Sequence, residues 1–308
     1  MRARLLIALV WAAQWALAAD GSWKAYLGGP GSEQFSSLTQ INKTNVNQLQ
    51  VAWTYATGEK GNYLFNPLIV DGTMYVLARN NSVVALDAVT GKERWTHPNT
   101  GAVTQRGINY WETKDRSDRR LLYLNAGYLT AIDARTGNTI PSFGDNGRVD
   151  IRVGLDRDID SFPPLQTNNP GRIFENLFII PLPARGDNYA AVPADVHAYD
   201  TRTGKLVWIF HSVPHPGEVG YETWPKDFWK TGGGVHNWNE MTVDENVESP
   251  TYRSAPPGMI FTARTATGRI CLVIVWSRWT HAPASSCGIS KPCITICGIT
   301  TCPPRPSC

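Results

Sequence analysis

No cysteine precedes Cys271 in this chain of 308 residues, so neither disulfides nor thiolate-bound metal can hold the larger part of it together. Basic runs are missing too: the net charge is only +3, with no Lys/Arg cluster dense enough for a nucleic-acid face, which excludes nucleic acid as the partner. Long hydrophobic runs are confined to the first residues, and even there the stretch falls short of the ~20 residues that span a bilayer. Arg2 and Arg4, the apolar run Leu5 to Trp15 and the small-residue site Ala16-Leu17-Ala18 form instead a secretory signal over residues 1–18. The mature chain is expected to begin near Ala19, to carry no transmembrane anchor, and to be periplasmic or secreted.

What the chain does contain is a repeat. Ala85-Leu86-Asp87-Ala88-Val89-Thr90-Gly91-Lys92-Glu93-Arg94-Trp95 returns shortened as Ala131-Ile132-Asp133-Ala134-Arg135-Thr136-Gly137, and nearly whole as Ala198-Tyr199-Asp200-Thr201-Arg202-Thr203-Gly204-Lys205-Leu206-Val207-Trp208. Its physical content is an alternating apolar strand, an Asp-x-x-Thr-Gly turn and a second strand with an aromatic anchor. In the turn, Asp bonds its own backbone and Gly takes positive φ. Units of several short strands recurring every ~40–70 residues cannot bury their apolar faces singly, which points to an all-β, radial β-propeller. The 12 Trp, 11 Tyr and 9 Phe suit strands and the packing between blades.

Between the repeats, Asn66 to Val76 reads as strand, Asp-Gly turn, strand. The mixed charges from Glu112 to Arg120 read as a solvated face. Two stretches, Asp145 to Arg172 and Pro214 to Gly234, are rich in Pro and Gly without periodicity, and are expected to be long loops shaping a mouth. Asp87, Asp133 and Asp200 are explained by their turns. Pro214 and Pro216 interrupt any helical face joining His211, His215 and His236, so these read as solvated loop histidines rather than metal ligands.

The segments Trp23-Lys24-Ala25-Tyr26-Leu27-Gly28-Gly29, Leu38-Thr39-Gln40-Ile41-Asn42 and Leu49-Gln50-Val51-Ala52-Trp53-Thr54-Tyr55 resemble the N-terminal signature of pyrroloquinoline-quinone (PQQ) dependent dehydrogenases, in particular the exported glucose-dehydrogenase-like group. The resemblance runs from Trp23 to about Glu245, making residues 19–245 the N-terminal part of a quinoprotein β-propeller. It implies an eight-bladed parent of the quinoprotein alcohol dehydrogenase type, oxidising a sugar or alcohol and passing electrons to a quinone or cytochrome, with a Ca or Mg ion beside PQQ. PQQ is flat and tricarboxylated, so its site needs cationic donors, a face to stack on and a base near the reactive carbonyl. Arg106 matches the arginine that relatives place on a PQQ carboxylate, and Trp238 matches the tryptophan under the cofactor, with Asn237 beside it. The alternatives are an inter-blade ion pair for Arg106 and blade packing for Trp238. Thr100 to Gln105 lack the vicinal cysteine pair of methanol-dehydrogenase-type relatives, which favours the glucose or sugar branch. A non-catalytic periplasmic scaffold built on the same repeat is the alternative function.

Past Glu245 the composition changes, and all six cysteines, Cys271, Cys287, Cys293, Cys297, Cys302 and Cys308, fall there. A disulfide module would allow 15 pairings. A shifted reading frame explains the tail better. Trp279 is encoded only by TGG and Thr280 begins AC, so the neighbouring frame reads GAC, aspartate. Continuing to Gly288, the bases permit Ala-Arg-Thr-Gly-Lys-Leu-Val-Trp, the repeat again. Residues 246–308 therefore read as a frameshifted, cysteine-containing tail without expected order, joined near Asn246. The family's catalytic aspartate would lie in a His-Asp-Leu-Trp-Asp-Tyr-like segment of the lost frame, which makes this chain a truncated and inactive fragment.

Overall fold

The computed structural model describes residues 21–58, 63–184, 192–218, 220–233, 237 and 241–243, and the backbone of 259–265, 268–274 and 294–296. Strands build it, joined by loops and single 3-10 turns, with no α-helix among the described residues.

Three four-stranded antiparallel sheets follow one another along the chain. The first holds β1 (Leu68–Val70), β2 (Thr73–Ala78), β3 (Ser82–Asp87) and β4 (Glu93–His97). The second holds β5 (Asn109–Glu112), β6 (Arg119–Asn125), β7 (Tyr128–Asp133) and β8 (Arg148–Asp150). In the third are β9 (Arg172–Phe174), β10 (Leu177–Pro181), β11 (Val196–Asp200) and β12 (Leu206–Phe210). The backbone of β13 (Thr242–Val243), β14 (Met259–Thr265), β15 (Gly268–Ile274) and β16 (Ile294–Ile296) forms a fourth, so strands stand in part of the tail where the sequence suggested no order. The signal segment and every cysteine except the backbone of Cys271 lie outside the described residues.

The sheets pack face to face. One face of the first (Leu68, Val70, Tyr75, Leu77, Val83, Ala85) meets the second through Tyr110, Leu121, Tyr123 and Ile132. The opposite face of the second (Trp111, Leu122, Leu124, Leu129, Ala131) meets the third through Phe178, Ile180 and Tyr199. Middle strands are therefore covered on both faces. Here the expectation of simple alternation is corrected: β3 is buried from Ser82 to Leu86, because a strand between two neighbours needs apolar residues on both sides.

The Asp-x-x-Thr-Gly turns form as the sequence indicates. Asp87 Oδ1 accepts from Val89 N, Thr90 N and Thr90 Oγ1 at 3.1, 2.8 and 2.9 Å, and Asp200 Oδ1 does the same for Arg202 N, Thr203 N and Thr203 Oγ1. Gly91, Gly137 and Gly204 all have φ between 71° and 74°. These glycines also have no room for a side chain. A Cβ on Gly91 would lie 2.6 Å from the Trp53 ring, and one on Gly137 2.6 Å from the Trp95 ring. The tryptophan of the first sheet thus seats on the turn glycine of the second, and Trp53 ahead of the first sheet seats on Gly91 in the same way, while Gly204 meets Val149 and Phe143.

The loop between β5 and β6 is not simply solvated. Arg116 and Arg119 both pair with Asp71 in the β1–β2 turn, tying the second sheet to the first.

Candidate functional site

The loops that lead into the first strand of each sheet are tied to one another in sequence. Asn66, ahead of β1, donates its backbone N–H to the Arg106 carbonyl at 2.9 Å and its side-chain Nδ2 to the same oxygen at 3.3 Å. Asn109, which opens β5, donates Nδ2 to the carbonyl of Pro170, ahead of β9. Arg172, which opens β9, donates Nε to the carbonyl of Met241, ahead of β13, at 2.5 Å. With β9 lying between β5 and β13, the lead-in loops meet at one rim.

Arg106 stands on that rim, half-buried, and Gly107 beside it is pressed on Tyr26, where a Cβ would lie 3.0 Å from the ring. Among the described residues, Asn237, in the lead-in to β13, has both amide atoms buried with no hydrogen-bond partner, and the Thr104 hydroxyl two residues before Arg106 likewise has none. Each such unmet group costs about 1–3 kcal/mol, which a polar ligand reaching it would recover. A carboxylate could engage Arg106 and an amide or carbonyl Asn237, which fits a polycarboxylated quinone. Trp238 lies outside the described residues, and so does His236.

Below the rim is a buried cation that sequence reasoning missed. Arg172 is 1% exposed, and its guanidinium donates to the carbonyls of Tyr26 at 2.7 Å and Gly29 at 3.3 Å and to the Ser32 hydroxyl. Arg remains charged at any ordinary pH. It fastens the N-terminal strap of residues 26–32 to β9 and to the lead-in of β13, while Val243 N bonds the Pro30 carbonyl at 3.0 Å. The signal was an arginine opening a strand that is otherwise Ile-Phe, directly after a Pro-Gly turn.

The turn aspartates stay structural. Burial works against ionisation of Asp133 and Asp200, but hydrogen bonds from their own turns outweigh it and hold both carboxyls below the usual range. Asp195 differs: burial is the largest influence and raises it, although Ser212 N and Oγ donate to it at 2.7 and 3.1 Å.

His211 and His215 are loop residues, as the sequence indicates, but half-buried rather than fully solvated. Their side chains are only 18% and 21% exposed, and the rings stack at 3.6 Å with an 11° tilt. The segment after β12 is a loop that meets the 151–160 loop, which brings both rings to Asp156 without any helical face.

Antiparallel four-stranded sheets packed face to face in chain order are blades of a β-propeller, here an incomplete one. The chain belongs to the family described as PQQ: glucose/ethanol/alcohol dehydrogenase, β-propeller domain, whose model matches residues 23–249. It is 30% identical to the quinoprotein glucose dehydrogenase of Gluconobacter oxydans over 273 residues, covering 74% of this chain and 32% of that protein. Against the quinohemoprotein alcohol dehydrogenase ADH IIB of Pseudomonas putida it is 29% identical, covering 75% of this chain and 33% of the relative. The chain thus spans about a third of the length of these curated relatives. The crystal structure of the Comamonas testosteroni quinohemoprotein alcohol dehydrogenase superposes with a TM-score of 0.62 at 23% identity, over 85% of this chain and 41% of that one, a likeness of fold. No described helix is long and apolar enough to cross a membrane.

Proposed function

We propose that this chain is the N-terminal part of an exported PQQ-dependent dehydrogenase whose full ring oxidises a sugar or simple alcohol and passes electrons to a quinone or cytochrome. The observation that carries the reading is the rim itself, where Arg106 and the amide of Asn237, buried and without a partner among the described residues, stand on lead-in loops linked from sheet to sheet. Arg106 would hold a PQQ carboxylate, Asn237 a polar edge of the cofactor, and Trp238 its flat face. PQQ, when bound beside a Ca or Mg ion, supplies the two-electron acceptor for the substrate. The general base belongs to the blades encoded after the join near Asn246 in the neighbouring frame, so the chain binds cofactor without turning over. The absence of a cysteine pair before Arg106 favours the glucose-dehydrogenase-like branch.

The test is titration of the full chain with PQQ in the presence of Ca²⁺, followed by thermal shift, alongside dye reduction with glucose and simple alcohols. Binding should be present and dye reduction absent, and Arg106→Ala should weaken binding by about 10- to 100-fold, the worth of one charge-assisted hydrogen bond. A chain with no PQQ response would be the scaffold protein instead. Turnover would show that the absent blades are dispensable.

A further inference from the structure

The two long loops after β8 and after β12 meet at a cluster that the cofactor rim does not use. Asp156 comes from the first loop, His211 and His215 from the second, and one ligand-type atom from each lies within 4.8 Å of the others. The Asp156 carboxylate stands 3.3 Å from His215 Nε2 and 3.9 Å from His211 Nε2. Ligands on a tetrahedral ion with bonds of ~2.0–2.1 Å sit about 3.4 Å apart, close to these separations, and the two stacked rings would tilt apart to aim both Nε2 atoms at one ion.

Two further contacts aim the imidazoles. Glu218 Oε1 lies 2.9 Å from His211 Nδ1, and since an ionised carboxylate only accepts, Nδ1 carries the hydrogen and Nε2, on the side toward Asp156, is the nitrogen that would ligate an ion. The other oxygen of Glu218 accepts from the backbone N–H of His215 at 2.7 Å. A carboxylate behind a histidine, fixing its tautomer and orientation, is the usual outer support of a metal-binding imidazole. His215 is backed on its far side by the Trp229 ring at 4.5 Å.

We propose that Asp156, His211 and His215 bind a divalent late first-row transition ion of the Zn²⁺ type, with Glu218 as its outer carboxylate, stapling the 151–160 loop to the 211–218 loop. Two imidazoles and one carboxylate are a borderline donor set, whereas Ca²⁺ takes six to eight oxygens, so this centre is chemically separate from the hard cation expected beside a quinone. Three protein ligands leave a fourth position for water. The proposal does not depend on PQQ binding.

The experiment uses the full chain, metal-stripped and with its cysteines alkylated, because tail thiols would otherwise compete for the probe. Co²⁺ is titrated by its visible ligand-field absorption and then displaced with Zn²⁺, with circular dichroism to check folding. One equivalent should bind, raise the melting temperature and be displaced by Zn²⁺. Binding should vanish in His211→Ala and in Asp156→Asn and weaken about 10- to 100-fold in Glu218→Gln, the usual effect of losing an outer-shell carboxylate. His97→Gln, which alters a histidine bonded to the Gly137 carbonyl, should bind normally. If His211→Ala fails to fold, the Glu218→Gln affinity decides. Binding undiminished in the folded His211→Ala and Glu218→Gln variants, or no binding to the alkylated chain, would overturn the proposal.

Discussion

Gly137→Ala isolates what holds one sheet to the next. Gly137 has φ +74°, and an alanine there would carry a left-handed backbone cost of roughly 1–2 kcal/mol. Its Cβ would also lie 2.6 Å from Trp95 Cε3 and 2.8 Å from Cδ2, so the indole must shift, although it packs against Tyr75 at a centroid distance of 5.9 Å. Overpacking of this kind costs typically ~1–3 kcal/mol, for a total of about 2–5 kcal/mol. Gly72→Ala is the matched control, since Gly72 has φ +69° but nothing within 4 Å of the new Cβ, leaving only the backbone cost. Urea unfolding should therefore separate the two variants by ~1–3 kcal/mol. Adding Trp95→Ala to Gly137→Ala should remove that excess in a double-mutant cycle. Equal losses for the two glycines would refute the idea that turn glycines are docking sites for the preceding sheet's tryptophan.

Arg172→Lys keeps the charge but loses the fork that reaches Met241, Tyr26, Gly29 and Ser32, leaving buried carbonyls unmet. A loss on the order of 3–5 kcal/mol is expected, with limited proteolysis opening first in residues 26–32; unchanged stability would show that the strap is held otherwise. His197 is fully buried, and burial, with His211 adding to it, pulls its pKa down to about 3. The unfolded chain binds that proton near pH 6.5, so stability is complete above 6.5 and falls toward pH 3 at up to about 1.4 kcal/mol per pH unit. His197→Gln should flatten urea midpoints between pH 6.5 and 4.5 relative to the parent; an identical slope would contradict a neutral His197. Asp200→Ala removes three turn hydrogen bonds and should cost about 1–3 kcal/mol by urea unfolding, with the loss shrinking as pH falls through the depressed folded pKa of Asp200.

The turns were legible because their chemistry is local: Asp, Thr and Gly at fixed offsets dictate the backbone without help from the rest of the chain. The strands were legible as strands, but their burial was not. Whether Val84 and Val76 face water or another sheet depends on what lies opposite, and both turn out to be covered by Trp53 and Tyr55 from the N-terminal segment. Arg106, Asn237 and Trp238 came from resemblance, because nothing in a single Arg-Gly or Asn-Trp pair tells a rim from a surface. Arg172 and the Asp156, His211, His215 cluster escaped for the opposite reason. Arg172 and Met241 are 69 residues apart, and Asp156 lies 55 residues before His211, so each is brought to its partner only by the order in which sheets stack.

The same stacking logic reaches the N-terminal segment. Val51-Ala52-Trp53-Thr54-Tyr55 repeats the x-x-Trp-x-aromatic pattern of β4 (Trp95, His97) and β12 (Trp208, Phe210), and Trp53 seats on Gly91 as Trp95 seats on Gly137. Yet residues 51–55 lie in no sheet among the described residues, and Val51 is 82% exposed, with Phe35 at 74% and Leu49 and Ile41 at 58%. In an extended segment Val51 shares a face with Trp53 and Tyr55, so the first sheet covers the two aromatic positions of that face and leaves Val51 open.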